Sequence, residues 1–261
     1  MKVIGLCTNK GGVAKTSSTI EIASILSSIK NPKTNENYRV LVIDTDQQGN
    51  TSDYVGAKTT GNTLYEVLHA ECSVREAIQK IDKFDIIASS IGLSKSDRQF
   101  VDHDDVYLLS DVIEQIKDDY DFVICDSAPS KSILLNMIYV AADYIIAPAE
   151  ADAGSYKGVI GVYQDIKALR ESRAKLSHAR LLGILLSKYE EKTIMFQTSL
   201  ENYQEAADKM EDKPFVLPIR KSIVMSECKG FHQSLQEYEA DAKPAQDYRA
   251  FVDRMLKEME D

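Results

Sequence analysis

Residues 3–16, VIGLCTNKGGVAKT, restrict this chain more than any other stretch. An apolar run gives way to glycines and then to a Lys-Thr pair, which predicts a buried strand, a loop and a helix starting near Lys15. Gly11 and Gly12 carry no Cβ, so their backbone can approach an anion closely, and the helix behind them would aim its unpaired N–H groups at the same point. Phosphate is the natural ligand of such a loop. Lys15 then places a point charge on the outer phosphates, and the Thr16 hydroxyl ligates a magnesium ion bound to them. The general pattern G-x-x-x-x-G-K-[ST] is met imperfectly, because Asn9 stands at its first glycine and Ala14 at its second.

Further short, continuously apolar runs follow at Arg39–Ile43, Phe84–Ser89, Tyr120–Cys125, Tyr144–Pro148, Leu181–Ser187 and from Phe215. They have the form of strands buried on both faces of a parallel sheet. Helical periodicity lies between them, at Ser17–Ile29, Val106–Ile116, Ser132–Ala142 and from Asp152 to about Leu169. Residues 63–81 read as two short helices, the second capped by Ser73 with Glu76 three residues on. The last third is less regular until a tail helix, 244–261, with Phe251, Val252, Met255, Leu256 and Met259 on one side. The alternation predicts an α/β fold with a mostly parallel central sheet and helices on both faces. With no linker or repeat, residues 1–261 are expected to form a single domain.

Two strands end in carboxylates. RVLVI runs into Asp44 and Asp46, and YDFVIC into Asp126, at the strand ends where ligands collect in open α/β sheets. The acidic group Asp102, Asp104 and Asp105 around His103 reads instead as a solvated helix start.

Lys10–Ser17, KGGVAKTS, with its lysine directly before the glycines, resembles the deviant Walker A loop of the ParA/MinD family of P-loop NTPase-type ATPases. VLVIDTDQQGNTS resembles that family's switch I, with Gln47 in place of a proline, and YDFVICDSAPS its Walker B strand and switch II, with Ala128 in place of another. FVLPIRKSIVMSE resembles the final strand and the loop that walls the adenine. The resemblance implies ATP and Mg2+ as cofactors. It makes Lys10, Lys15 and Asp46 catalytic, with Asp46 orienting water, and puts Thr16, Asp44 and Asp126 at the metal. Nucleotide contacts would come from Lys10, Gly11, Gly12, Val13, Ala14, Lys15, Thr16 and Ser17, with Ser187 and Pro218 near the base. Lys10 would reach across a homodimer to the partner's nucleotide. The closest likeness is to ParA (Soj-like) DNA-partitioning ATPases, which implies non-specific DNA binding and a centromere-binding, ParB-like partner that stimulates slow hydrolysis. Because the loop begins within ten residues of Met1, no amino-terminal helix-turn-helix domain is expected.

A net charge of −10 argues against a wholly basic nucleic-acid surface, so DNA contact requires a local patch. Arg220, Lys221 and Lys229 are candidates beside the nucleotide loop, and Lys167, Arg170, Arg173, Lys175 and Arg180 form a second group. The alternative is a MinD-like or scaffold-bound positioning ATPase that does not act on DNA. Membrane binding would need cationic residues beside the tail's apolar side, whereas Asp253, Glu258, Glu260 and Asp261 offset Arg249, Arg254 and Lys257. The tail is expected to dock on its own domain. No apolar run approaches the roughly 18 residues of a membrane span, and no secretory h-region precedes the glycines. A cytoplasmic protein, nucleoid-associated when ATP-bound, is expected. Cys7, Cys72, Cys125 and Cys228 lack metal or redox spacing and read as free thiols. SAPSKS after Asp126 lacks the cluster cysteine of the nitrogenase iron protein, a redox relative.

Overall fold

A computed structural model describes residues 1–260. Its strands are β1 (Lys2–Leu6), β2 (Val40–Asp44), β3 (Ile78–Lys80), β4 (Asp85–Ile87), β5 (Phe122–Asp126), β6 (Tyr144–Ala149), β7 (Arg180–Tyr189) and β8 (Phe215–Arg220). They form one sheet in the order β3-β4-β2-β5-β1-β6-β7-β8, parallel throughout except at β3–β4. Around it lie α1 (Lys15–Leu26), α2 (Asn50–Tyr54), α3 (Leu64–Leu68), α4 (Val74–Ala77), α5 (Ser96–Gln99) and α6 (Leu108–Glu114). The later helices are α7 (Ile133–Ala141), α8 (Ala153–Glu171), α9 (Ile194–Lys209), α10 (Val224–Gly230), α11 (Leu235–Tyr238) and α12 (Lys243–Glu260).

The uninterrupted apolar runs are explained by burial on both faces. All five residues of VLVID in β2 are buried. Alternate strand residues feed separate cores: Val3, Val123 and Ile145 pack with α3, α6, α7, α8 and α9, while Ile4, Ile124 and Ile146 pack with α1, α11 and α12. β1 sits centrally between β5 and β6, where the chain's winding reverses direction, so the glycine loop opens into the crevice at that switch point.

The tail helix docks as its acidic balance predicts. Tyr248, Phe251, Val252 and Met255 of α12 are fully buried on the α1 side, each burial contributing roughly 2 kcal/mol. Asp261 lies outside the described residues. Among the described residues no helix is long and apolar enough to cross a membrane. Cys7, Cys125 and Cys228 are buried, Cys72 is half-buried, and all four are free.

Two elements differ from the sequence expectation. Residues 78–80 leave the second short helix and form edge strand β3, because a tight turn through Asp82 and Lys83 returns the chain antiparallel to β4. The irregular last third contains the 16-residue α9. Its buried face uses Phe196, Tyr203, Ala206 and Ala207, and the two alanines carry too little hydrophobicity to mark it as a stripe. The Asp102 group is a helix start, where the Asp105 carboxylate accepts from the Asp102 N–H. Among the described residues no cluster of His, Cys, Asp and Glu is arranged to hold a metal alone.

Polar ties join α1 to the carboxyl-terminal segment. Glu21 Oε1 accepts from the Leu235 N–H at 2.8 Å, and Ser24 Oγ donates to Ser234 Oγ at 3.0 Å. Burial pushes the Glu21 carboxyl up to about 8, against a weaker downward pull from the Leu235 N–H. The folded chain therefore holds a proton that the unfolded chain releases above 4.5, and stability falls as the pH rises from there to about 8. Glu21→Gln removes this dependence. In urea titrations the stability of the variant relative to the wild type should be about 4 kcal/mol greater at pH 8 than near pH 4. An equal difference at both pH values would refute the assignment.

Candidate functional site

At the carboxyl ends of the central strands lies a cavity of about 750 Å³. The loop after β1 floors it with Lys10, Gly11, Gly12, Ala14, Lys15, Thr16 and Ser17. A Cβ at Gly11 or Gly12 would meet no neighbour within 4 Å and would instead fill the space a phosphate needs. Gly12 has φ 81°, and Ala14, preceding α1, is left-handed with φ 62°. That conformation costs a residue other than glycine roughly 1 kcal/mol. No side chain caps α1, so its first N–H groups remain available to an anion. Val13 is buried rather than lining the cavity.

Beneath the floor, Asp126 gathers the metal and phosphate machinery. Lys15 Nζ donates to its Oδ1 at 2.7 Å, and Thr16 Oγ1 to its Oδ2 at 3.1 Å. The Thr51 hydroxyl also donates to Oδ2. Asp44 is the register partner of Asp126 on β2. Its Oδ2 accepts from the Ser52 N–H and hydroxyl at 2.9 and 2.7 Å, and its Oδ1 from the Asp46 N–H at 3.1 Å. Burial, followed by the charge of Asp126, pushes the Asp44 carboxyl up; the Ser52 and Asp46 donors partly oppose this. Two buried carboxylates beside three hydroxyls and one lysine are a hard-oxygen environment deficient in positive charge, which fits a hydrated Mg2+ shared with phosphate. Thr16, Asp44 and Asp126 are the residues that would hold it.

Asp46 does line the cavity. Its Oδ1 accepts from the Gln48 N–H at 3.0 Å and its carbonyl from Ser89 Oγ at 2.5 Å, fixing a carboxylate whose other oxygen takes no bond from the chain among the described residues.

Lys10 turns onto its own chain at the rim. Its Nζ donates to Asp152 Oδ2 at 2.6 Å and Ser155 Oγ at 3.2 Å and lies 3.7 Å from Glu150. Burial raises the Asp152 carboxyl, but the Lys10 hydrogen bond and the Ser155 N–H and hydroxyl outweigh it and hold the group at about 2. The same contacts raise Lys10.

Ser187 lines the cavity and donates through Oγ to the Ala149 carbonyl at 3.0 Å. Pro218 does not line it. The proline pairs with Leu186 within the sheet, and the wall begins at Ile219, since successive strand residues face opposite sides. Ile219, Ile223 and Met225 supply the apolar surface expected of a base pocket.

Of the DNA candidates, Arg220 is clamped by Asp247 at 2.6 and 2.9 Å and by Glu191 at 3.1 Å, and Lys221 pairs with Glu190 at 2.7 Å. These donors are committed inside the chain. Lys229, also on the rim, has no acid within ion-pair distance among the described residues. In the second group, Arg170 is tied to Asp212 and Lys167 to Glu171 and Glu211.

Sequence reasoning missed Thr51, Ser52, Lys188 and Tyr248 and gave Asp152 no role. Hydroxyls in NTSD directly after the aspartate pair were a usable signal for Thr51 and Ser52. Tyr248 carried none, since it reaches the loop from α12, donating to or accepting from Ser18 Oγ at 2.9 Å.

The AAA_31 family model, an AAA domain, matches residues 1–178. An uncharacterized protein of Methanocaldococcus jannaschii is 32% identical over 216 residues, 78% of this chain and 80% of that protein. The chromosome-partitioning ATPase Soj of Treponema pallidum is 27% identical, over 95% of this chain and 94% of its own. A solved structure of cobyrinic acid a,c-diamide synthase from Mycobacterium smegmatis, with bound ATP analogue and magnesium, shares the fold. Its TM-score is 0.80 at 24% identity, covering 100% of this chain and 96% of that one.

Proposed function

The chain belongs to the AAA_31 family and is a ParA/Soj-like ATPase, and from that premise we propose that it is an ATP-dependent DNA-partitioning switch. Residues 1–261 act as one ATPase domain. Mg-ATP joins two copies into a sandwich dimer that binds DNA without sequence preference, and a centromere-binding partner stimulates the slow hydrolysis that resets it. The protein works in the cytoplasm and sits on the nucleoid in its ATP state. The observation that carries this reading is Lys10: a lysine adjacent to the phosphate loop whose ammonium lies at the rim on Asp152, outside its own cradle.

The chemistry needs no covalent intermediate. Lys15 and the free N–H groups of α1 bind phosphate, Thr16 and the Asp44–Asp126 pair face the cation, and Asp46 orients the attacking water. Magnesium, when bound, neutralises charge on the outer phosphates. Lys10, exchanged from Asp152 to the second copy's nucleotide, makes ATP the bond between subunits. Ile219, Ile223 and Ser187 take the base in place of Pro218. With Arg220 and Lys221 committed to acids, Lys229 is the preferred contact for DNA phosphates, and the affinity should fall steeply with salt. The buried apolar side of α12 supports DNA over a membrane as the binding surface.

The test is ATP turnover with and without random duplex DNA. DNA should raise turnover of the wild type and fail to raise that of Lys10→Ala, which still binds ATP. Equal stimulation of both would eliminate the dimer switch. ATP-dependent sedimentation with anionic vesicles, without retention on DNA, would favour the positioning alternative.

A further inference from the structure

Lys188, near the end of β7, sits in an unusual stretch of backbone. It is left-handed with φ 57°, a region few residues other than glycine adopt, and the β7–β8 register shifts between Leu186 and Tyr189 around it. Bulges and strained residues of this kind gather where a side chain is re-aimed toward a site. The re-aimed ammonium spans two groups: Nζ donates to the carbonyl of Gly12 at 2.8 Å and lies 2.5 Å from Glu150 Oε1. The side chain is half exposed, so the Glu150 pair by itself contributes little. Its bond to the phosphate loop has the larger consequence.

The Gly12 carbonyl and the Val13 N–H belong to one planar trans peptide and point in opposite directions. A cation holding the carbonyl on the β7 side therefore fixes the N–H on the other side and polarises it as a donor. Gly12 at φ 81° and Ala14 at φ 62° stand on either side of Val13, which has no positive φ, giving the loop the alternating backbone of an anion-binding nest. Without an anchor, the peptide next to a glycine of positive φ is free to flip.

We propose that Lys188 is a positioning residue of the nucleotide site: by anchoring the Gly12 carbonyl it fixes the Gly12–Val13 peptide, and with it the shape of the phosphate loop, without touching the nucleotide. Glu150 buttresses the lysine. This rests on the reading of the cavity as a nucleotide site. Because the loop serves phosphates common to ATP and ADP, both ligands feel the loss of the anchor equally.

Titration calorimetry with ATP and with ADP, each with magnesium, tests the assignment on the wild type, Lys188→Met and Lys188→Arg. Lys188→Met should weaken ATP and ADP alike by about tenfold, as expected for losing a charge-assisted hydrogen bond. Its melting temperature should not change, and Lys188→Arg, which can still donate to a carbonyl, should recover most of the affinity. Weakening confined to ATP would overturn the proposal, since the ammonium would then contact the terminal phosphate directly. Unchanged affinity in Lys188→Met would also overturn it, as would a fall in melting temperature that parallels the affinity loss and is not rescued by arginine. A wild type that binds neither nucleotide would overturn the nucleotide-site reading itself, and this inference with it.

Discussion

Lys15→Ala abolishes nucleotide binding, with the ATP affinity lost by more than about 100-fold, since a charge-assisted contact to phosphate is worth roughly 3 kcal/mol. The variant should also be less stable without ligand. Lys15 is buried, and among the described residues its ammonium is the only positive charge paired with Asp126, itself buried between strands. Stripping one partner from such a pair costs about 3–5 kcal/mol, lessened here by the Thr16 and Thr51 hydroxyls that still donate to the carboxylate. The two effects separate in the double variant Lys15→Met with Asp126→Asn. Replacing the stranded carboxylate should restore much of the melting temperature while ATP binding stays absent. A Lys15→Ala protein that binds ATP as the wild type does would remove the loop from the mechanism.

Asp46→Asn should bind ATP nearly as the wild type does and turn it over at least about 100-fold more slowly, the usual range for a lost base or water-orienting carboxylate. The geometry favours a specific loss. Asp46 is held from three sides, by the Gln48 N–H on its carboxylate, Ser89 on its carbonyl and Asp44 on its own N–H, so an isosteric amide keeps the loop in place. What the amide lacks is a second oxygen that accepts a proton or orients a water. Single-turnover phosphate release, measured beside equilibrium binding, distinguishes the outcomes: equal losses in both would assign Asp46 to loop folding, and unchanged turnover would remove it from catalysis.

The sheet was legible because burial on both faces writes itself into sequence as runs such as VLVID and FVICD, and the site because each run delivers its carboxylate at the strand end. Elements stabilised by partners were harder to read. β3 exists through pairing with β4, and α9 buries alanines that periodicity registers poorly. In the site, the first ring of residues was visible and its supports were not. Lys15, Asp44 and Asp126 lie in motifs, but Thr51 reaches Asp126, Lys188 reaches Gly12 and Tyr248 reaches Ser18 across long sequence separations that one chain's pattern does not encode. Pro218 lies one residue before the cavity wall at Ile219, the smallest shift that turns a strand side chain to the other face. Arg220 and Lys221 appeared free because their acids, Asp247, Glu191 and Glu190, lie on other elements.

Ala14 gives the loop a property that a glycine there would not. Its methyl group disfavours the left-handed turn that a glycine would adopt freely, so the conformation persists only because the surrounding structure fixes it. Its carbonyl is further held by the Ser18 N–H and hydroxyl, and Ser18 in turn by Tyr248. The ordering that a looser loop must undergo during binding is here completed during folding. On the proposed reading, nucleotide capture then resembles docking into a rigid mould rather than the freezing of a hinge.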